Sequence, residues 1–444
     1  MGERPYTGMI NIQSESRASY PKATRVSFLI ARRCCTLALN LIMNRGRVAA
    51  NTYRNKASDG GESLDMTQEV QNACHGSVRH VGDWVEVRSI DEILATLDEK
   101  GELDNLPFMP EMLQFCGQRF RVFKSAHKSC DTATGFATGK WLGVELESTV
   151  HLDLRCDGSA HGGCQAACLL FWKEAWLKPV AQVNSEVARK SALPQRTPRD
   201  SCSIANLLAA TASGADGERK KYSCQATRLP AFSKPLPWWH LGQYWRDYRS
   251  KNISARQLLN SLVYAVYRNL TFAERRTLGR PGRWFYDRFQ RMRGGIPFPA
   301  RKGKLPPGKG LAREDLDLQP GEWVRVKPYE AILATVDVGG SNRNLTFADE
   351  MVPYCGGVYR VRNRVARFVD EATGNMRDMK TPAVILDNVV CNGCYSHDRI
   401  GCPRGIYSWW REIWLERITQ ARTEGAQEPT ALANQSAEVE RGRL

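Results

Sequence analysis

The sequence lacks the motifs of the commonest nucleotide-binding proteins and hydrolases. The patterns Gly-x-x-x-x-Gly-Lys-Ser/Thr, Gly-x-Gly-x-x-Gly and Gly-x-Ser-x-Gly do not occur in its 444 residues, which excludes the usual phosphate loops and serine nucleophiles. The His-Glu-x-x-His and His-x-Glu patterns, which accompany an open catalytic zinc, are also absent. These absences favour a protein that is not an enzyme, without deciding the question.

Long apolar runs are scarce, and so are acidic residues in the middle of the chain. No run approaches the roughly 18 apolar residues that span a bilayer, and the best candidate, residues 34–43, is too short.

Between Arg219 and Arg313 there are 22 Lys and Arg residues and three acidic ones, although the whole chain has a net charge of only +16. Such a stretch attracts polyanions such as nucleic acid, anionic lipid or acidic glycans. The alternative interpretation is a solvated basic linker.

The sequence does contain a long internal repeat. Residues 82–135 match residues 321–374 without a gap, with 23 identities in 54 positions. The match resumes at Trp172 and Trp410 and continues to Trp176 and Trp414. A repeat of this length predicts two copies of one domain, each about 95 residues long.

Each copy is predicted to begin with a strand and a helix. Residues 84–87 and 323–326 alternate in polarity, and apolar residues then recur at three- and four-residue spacing. Ser89 and Glu92 form a capping box for the first helix. Asp131 and Asp370 each begin an Asp-x-Ala-Thr-Gly sequence, which predicts a hairpin turn.

The opening strand of the second copy, Pro-Gly-Glu-Trp-Val-Arg-Val at residues 320–326, resembles the start of SH3-like barrels. The fold class that we predict is therefore α+β. It contains two tandem copies of a small, mostly antiparallel, β-barrel-like repeat with one inserted helix, separated by a helical basic segment. The resemblance implies an SH3-like form for each repeat.

Composition divides the chain into seven parts. The extension and the tail lack sustained periodicity, so we expect both to be poorly ordered. The parts are an N-terminal extension (1–78), the first repeat (79–180), a linker (181–235), a basic aromatic-rich helical segment (236–300), a Pro/Gly/Lys connector (301–318), the second repeat (319–418) and a tail (419–444).

Each repeat ends in a cluster of cysteine and histidine residues. Three thiolates and one imidazole within about a dozen residues form the ligand set of a closed tetrahedral zinc site, so we predict two zinc ions per chain. Clusters of this kind suit a reducing cytoplasm better than a disulfide framework does. The candidate ligands are Cys156, His161, Cys164 and Cys168 in the first cluster and Cys391, Cys394, His397 and Cys402 in the second.

Two alternatives to this zinc hypothesis remain open. The cysteines can be small buried apolar residues, or they can hold an iron–sulfur cluster, which usually needs four thiolates. Cys116 and Cys355 occupy the same position in the two copies. They are either core residues or long-range ligands that supply a fourth thiolate.

The basic central segment interleaves arginine with aromatic residues, as phosphate contact and base stacking require. We therefore expect a non-enzymatic, zinc-stabilised tandem-repeat protein that contacts nucleic acid or another polyanion. The alternatives are a metal- or iron–sulfur-dependent enzyme or accessory protein of a biosynthetic pathway, and a scaffold for a protein partner. The candidate polyanion-binding residues are Arg275, Arg276, Arg280, Arg283, Arg288, Arg291 and Arg293.

Overall fold

A computed structural model of the chain describes most of the two repeats and of the segment between them. The N-terminal extension and the C-terminal tail lie outside the described residues, and the described residues all belong to one compact unit. The described ranges are 79–138, 142–180, 202–214, 220–273, 279–293, 295–307, 311–396 and 399–418.

The elements are short, except for one long strand pair and two long helices. The strands of the described residues are β1 (Trp84–Val87), β2 (Glu102–Leu103), β3 (Leu106–Pro107), β4 (Arg119–Arg121), β5 (Lys124–Ser125), β6 (Lys128–Asp131), β7 (Leu142–Glu145), β8 (Thr149–His151), β9 (Trp172–Lys173), β10 (Leu177–Pro179), β11 (Ala212–Ser213), β12 (Lys221–Tyr222), β13 (Lys234–Leu236), β14 (Trp323–Val326), β15 (Ser341–Asn342), β16 (Leu345–Thr346), β17 (Val358–Val369), β18 (Met376–Val390), β19 (Tyr407–Trp410) and β20 (Leu415–Arg417). The α-helices are α1 (Ile90–Leu94), α2 (Thr132–Thr138), α3 (Ile204–Ala210), α4 (Gln225–Arg228), α5 (Gly242–Arg249), α6 (Ala255–Ala273), α7 (Gly279–Arg293) and α8 (Tyr329–Leu333).

The two repeats begin with the same elements at the same spacing. β1 and α1 correspond to β14 and α8, and the 3-10 helix Pro110–Phe115 corresponds to Asp349–Tyr354. The capping box of Ser89 and Glu92 is present, as predicted. Matching side chains fill each core; for example, Ile93 and Ile332 are both fully buried. The α+β class is confirmed.

The sheets are small, antiparallel and open. The first repeat has the strand orders β10-β1-β4, β5-β8-β9 and β13-β7-β6, and the second has one sheet of order β19-β18-β17-β14-β20. No sheet among the described residues closes into a barrel, so the expectation of an SH3-like, barrel-like repeat is not confirmed.

The two Asp-x-Ala-Thr-Gly sequences adopt different structures. At Asp370 the predicted hairpin turn joins β17 to β18, and its Oδ1 accepts a hydrogen bond of 3.0 Å from the Ala372 N–H. At Asp131 the prediction is wrong, because α2 begins at the next residue. The Asp131 Oδ1 instead accepts a hydrogen bond of 2.9 Å from the Thr134 N–H, three residues on. That bond is typical of a helix N-cap, whereas a bond two residues on closes a turn.

The repeats contact each other reciprocally through their cluster loops. From the first repeat, Lys128 donates a hydrogen bond of 2.6 Å to the Ile400 carbonyl in the second loop. From the second repeat, the Val369 N–H donates to the Cys164 Sγ, 3.3 Å away in the first loop. Such an exchange is what an approximate two-fold axis between the repeats produces.

The described part of the segment between the repeats packs against the first repeat and forms a small core of its own. Cys202 and Leu207 pack into the core of the first repeat, with 5% and 2% of their surface exposed, and Leu229 joins them. α6 and α7 pack around the smaller core of Tyr264, Tyr286 and Phe298. None of the helices in the described ranges combines the length and apolar character that crossing a bilayer requires.

Candidate metal centres

Four cysteine side chains line one cavity in the first repeat. Cys156, Cys164 and Cys168 come from the cluster loop, and Cys224 comes from the central segment, directly before α4. The cavity has a volume of about 30 Å³, which is room for about one water molecule or a single ion.

Glycine makes the tight turn of each loop possible. Gly158 has a φ of +74°, and a Cβ at this position would lie 2.1 Å from the Cys164 carbonyl oxygen. Gly393 has a φ of +65°, and its Cβ would lie 2.5 Å from the Cys402 nitrogen. Only glycine fits such a turn without strain. The turn brings the first cysteine of each cluster close to a later cysteine of the same cluster.

Burial disfavours the thiolate form of the cysteines that line the first cavity. Burial raises the pKa of Cys156, Cys164 and Cys168, and it raises the pKa of Cys224 to about 11. Buried apolar surroundings disfavour a thiolate. A metal ion that binds here therefore has to displace protons.

His161 also lines this cavity, and its ring makes two contacts. Its Nδ1 lies 2.6 Å from the Glu111 Oε1, and its Nε2 lies 2.9 Å from the Ser223 carbonyl oxygen. Burial alone would raise the pKa of Glu111, but the hydrogen bond and the charge of His161 outweigh burial and lower it. Glu111, Cys156 and His161 form a group that could hold a metal ion, since their ligand atoms lie within 4.8 Å of one another.

The second repeat has an equivalent buried carboxylate. Glu350 matches Glu111 in the repeat, and its Oε1 accepts hydrogen bonds from the Tyr395 N–H at 2.5 Å and the Ser396 Oγ at 3.1 Å. Glu111 likewise accepts from the Ala160 N–H at 3.1 Å. In each repeat the 3-10 helix thus holds the loop that follows the first cysteine of the cluster.

A second cavity lies beside the second cluster. Cys391, Cys394 and Cys402 line it, and its volume is about 50 Å³. His397 lies outside the described residues, so its predicted role as a ligand has no structural counterpart here. Burial raises the pKa of Cys391, and it raises the pKa of Cys394 to about 12.

Cys130 of the first repeat lies next to the second cluster. A hydrogen bond with Cys402 lowers the pKa of Cys130 to about 5 against the effect of burial, and the Arg404 and Arg399 charges lower it further. Arg404 also donates a hydrogen bond of 2.9 Å to the Cys130 carbonyl. Cys130 is therefore a fourth cysteine in contact with the second cluster, from the other repeat, although it does not itself line the cavity of about 50 Å³.

A buried ionic network holds the central segment beside the second cavity. Asp247 of α5 has no exposed surface; it forms an ion pair with Lys128, and its Oδ1 lies 3.2 Å from the His127 Nε2. Asn252 continues the network with hydrogen bonds to Ser125, and Asn252 itself lines the second cavity. The network fixes the start of α6 relative to the first repeat.

Cys116 and Cys355 line neither of the two cavities. Each packs against the core of its own repeat. Burial is the cause that raises their pKa values, to about 11 and about 12. These observations favour core packing over metal ligation.

The structure describes only part of the predicted polyanion-binding set. Arg275 and Arg276 lie outside the described residues, and nothing is described of the Arg280 and Arg293 side chains. The three that remain, Arg283, Arg288 and Arg291, are exposed on α7.

Sequence reasoning missed four residues of these centres. Glu111 and Glu350 could have been found, because they are identical in the repeat alignment. Cys130 and Cys224 each stand alone in the sequence, far from the clusters, and no local pattern marks them.

Comparison with known proteins adds no assignment: no family model, curated protein or solved structure matches the chain.

Proposed function

We propose that this protein is a non-enzymatic, zinc-stabilised tandem-repeat protein that binds nucleic acid, or another polyanion, through its basic central segment. The observation that carries the proposal is the exposed surface of α7. Trp284 and Phe285 have 68% and 61% of their surface exposed, next to exposed arginines.

The arrangement on α7 supports a ligand that is both anionic and planar. Trp284, Arg288 and Arg291 follow each other at four- and three-residue spacing, and so do Phe285, Phe289 and Met292. Each set therefore forms one stripe along the helix. Exposed aromatic residues beside arginines suit the stacking of bases and the contact of phosphates, which favours nucleic acid over other polyanions.

Other apolar residues of the same segment are also exposed. Trp239 and Trp245 are 66% and 59% exposed, and Leu259 of α6 is 59% exposed. Several large exposed apolar side chains in one segment favour an interaction role for that segment.

The cavities support structural zinc rather than catalysis. Volumes of about 30 and 50 Å³ are far below the roughly 300–1,000 Å³ of small-molecule sites. They suit a single ion better than a multi-iron cluster. Small open sheets bury little apolar surface, so bound metal would contribute directly to folding.

The test is binding of fluorescent single-stranded DNA and RNA at several salt concentrations, with heparin and anionic vesicles as competitors. We expect nucleic-acid binding that weakens with salt and that Trp284→Ala reduces about fivefold or more. Trp84→Ala is the matched control, since Trp84 is 46% exposed on the first repeat, and it should leave affinity unchanged. Absence of binding at low salt, or equal affinity of the Trp284→Ala variant and the wild type, would overturn the proposal. Stronger binding to vesicles than to nucleic acid would overturn it in favour of a membrane surface.

A further inference from the structure

We propose that each metal site is a four-thiolate site that takes one ligand from outside its own cluster. The first site comprises Cys156, Cys164, Cys168 and Cys224, and the second comprises Cys391, Cys394, Cys402 and Cys130. This inference rests on the metal part of the proposed function and assigns its ligands. Among the described residues, Glu111, Cys156 and His161 have ligand atoms that all lie within 4.8 Å of one another, whereas no three of the proposed thiols lie that close, so a bound ion would have to draw the thiols together.

The contacts of His161 argue against its role as a ligand. Both ring nitrogens face oxygen atoms, with Glu111 at 2.6 Å on one side and the Ser223 carbonyl at 2.9 Å on the other. With an oxygen atom at hydrogen-bond distance from each ring nitrogen, neither nitrogen is directed at a metal ion in this arrangement. Because Ser223 precedes Cys224, His161 is placed to position the Cys224 thiol.

The second repeat has the same arrangement, with a serine in place of the histidine. His161 stands five residues after Cys156, and Ser396 stands five residues after Cys391. The Ser396 hydroxyl donates to Glu350 as His161 does to Glu111. A hydroxyl in the equivalent place indicates that this position serves the buried carboxylate and the loop, not the metal.

The approximate two-fold relationship accounts for Cys130. Cys130 and Val369 occupy equivalent positions in the repeat alignment. Val369 lines the first cavity and contacts Cys164 of the other repeat. Cys130 accordingly lies beside Cys402, the equivalent of Cys164. There it supplies the thiol that the second loop lacks, since Ile406 takes the place of Cys168.

Buried cations balance the charge of the two sites. Four thiols that bind Zn²⁺ release four protons and leave a site of net charge −2. Arg404 lines the first cavity and donates to the Cys130 carbonyl at the second site. Arg399 is buried within the second cluster loop, with 8% of its surface exposed. The first ion would join the central segment to the first repeat, and the second would join the two repeats.

The test is zinc content and the cobalt(II) spectrum of the full chain and its variants. We expect about two ions per wild-type chain and about one ion in Cys224→Ser and in Cys130→Ser. Cys224→His and Cys130→His should keep two ions but change one cobalt spectrum from four thiolates to three thiolates and one imidazole. This rescue separates a ligand from a residue needed only for folding.

His161→Gln and Glu111→Gln alter residues that position the first loop, so they should at most weaken metal affinity at the first site and leave the four-thiolate form of the cobalt spectrum unchanged. Cys202→Ser is the matched control, since Cys202 is a buried cysteine of the same segment as Cys224 and packs into the core of the first repeat. Loss of one ion in His161→Gln, with two retained in Cys224→Ser, would overturn the first ligand set. Two ions in Cys130→Ser, or a Cys130–Cys402 disulfide in the wild type, would overturn the second.

The two proposals fail in different ways. Two ions without nucleic-acid binding would contradict the proposed function alone, and two ions with the wrong ligand pattern would contradict this inference alone. A metal-free wild type would contradict the zinc claim in both.

Discussion

Thr132 and Glu371, which occupy equivalent positions in the two repeats, are hydrogen-bonded to each other. Together with the reciprocal contacts of the cluster loops, this contact indicates an approximate two-fold axis that passes between the two residues. Arg404 completes the contact with a hydrogen bond of 3.0 Å to Glu371 and a second bond to Thr132. The interface between the repeats therefore contains a buried ionic contact, and its Arg404 reaches both candidate metal sites, since it lines the first cavity and donates to the Cys130 carbonyl.

Replacement of Arg404 should strongly destabilise the protein. Arg404 and Glu371 are 3% and 4% exposed, so Arg404→Met leaves a buried carboxylate without its cation. The free energy of unfolding in urea should fall by about 3–5 kcal/mol. The double variant Arg404→Met, Glu371→Leu should recover part of this loss. Arg367→Met, which breaks the exposed pair with Asp378, is the control and should cost less than about 1 kcal/mol. An equal loss in both single variants would contradict the account.

His151 should make stability depend on pH. Burial lowers its pKa to about 3 from the ordinary 6.5, against the effect of its hydrogen bond to Leu170. Below pH 6.5 the unfolded chain therefore binds a proton that the folded protein does not bind. Stability is full above this pH and falls between pH 6.5 and 3 by up to about 1.4 kcal/mol per pH unit. The measurement is urea unfolding of the wild type and of His151→Gln across this range. The free energy of unfolding of the variant should fall less steeply than that of the wild type as the pH is lowered.

The control for this titration keeps the histidine but weakens its packing. Phe171 packs against His151 with a centroid distance of 4.6 Å. Phe171→Leu should lower stability at every pH and leave the pH dependence parallel to that of the wild type. A His151→Gln curve parallel to the wild type would contradict the assignment.

The two residue types on α7 should affect nucleic-acid binding differently. Arg288→Ala should reduce the slope of log affinity against log salt by about 1, because one phosphate contact is lost. Trp284→Ala should leave that slope unchanged and cost about 1–3 kcal/mol of binding free energy. Fluorescence anisotropy between low and moderate salt measures both quantities. The Arg288 contact is refuted if both variants leave the salt slope unchanged.

Cys116 and Cys355 should be dispensable for metal binding. Because each packs against the core of its repeat, Cys116→Ser and Cys355→Ser should keep about two zinc ions per chain. Each should lower the free energy of unfolding by about 1 kcal/mol through the buried hydroxyl. Elemental analysis with urea unfolding checks both values, and loss of an ion in either variant would restore the long-range ligand hypothesis.

The repeat made the order of elements predictable, and tertiary context decided the rest. The strand β1, the helix α1 and its Ser89 cap follow from local patterns. The same Asp-x-Ala-Thr-Gly sequence, however, caps a helix at Asp131 and closes a hairpin at Asp370. Local sequence offers the aspartate two backbone partners, the N–H groups two and three residues further along the chain. The residues that follow and the neighbouring strands select between these partners.

The candidate site was predictable only where its residues are close in sequence. The spacing of Cys156, Cys164 and Cys168 indicates a metal cluster, and these side chains do share a cavity. Cys130 and Cys224 reach the clusters through contacts between distant segments, which leave no periodic signal. The hydrogen bonds of His161 were equally hidden, since an imidazole among cysteines looks like a ligand until its partners are known.

X-ray absorption spectroscopy at the zinc edge, on the full chain purified without added metal, tests the central claim most directly. We expect about two zinc ions per chain, each with a first shell of four sulfur atoms at about 2.3 Å. A shell that includes nitrogen at about 2.0–2.1 Å would contradict the four-thiolate assignment, and protein without zinc would contradict the account as a whole.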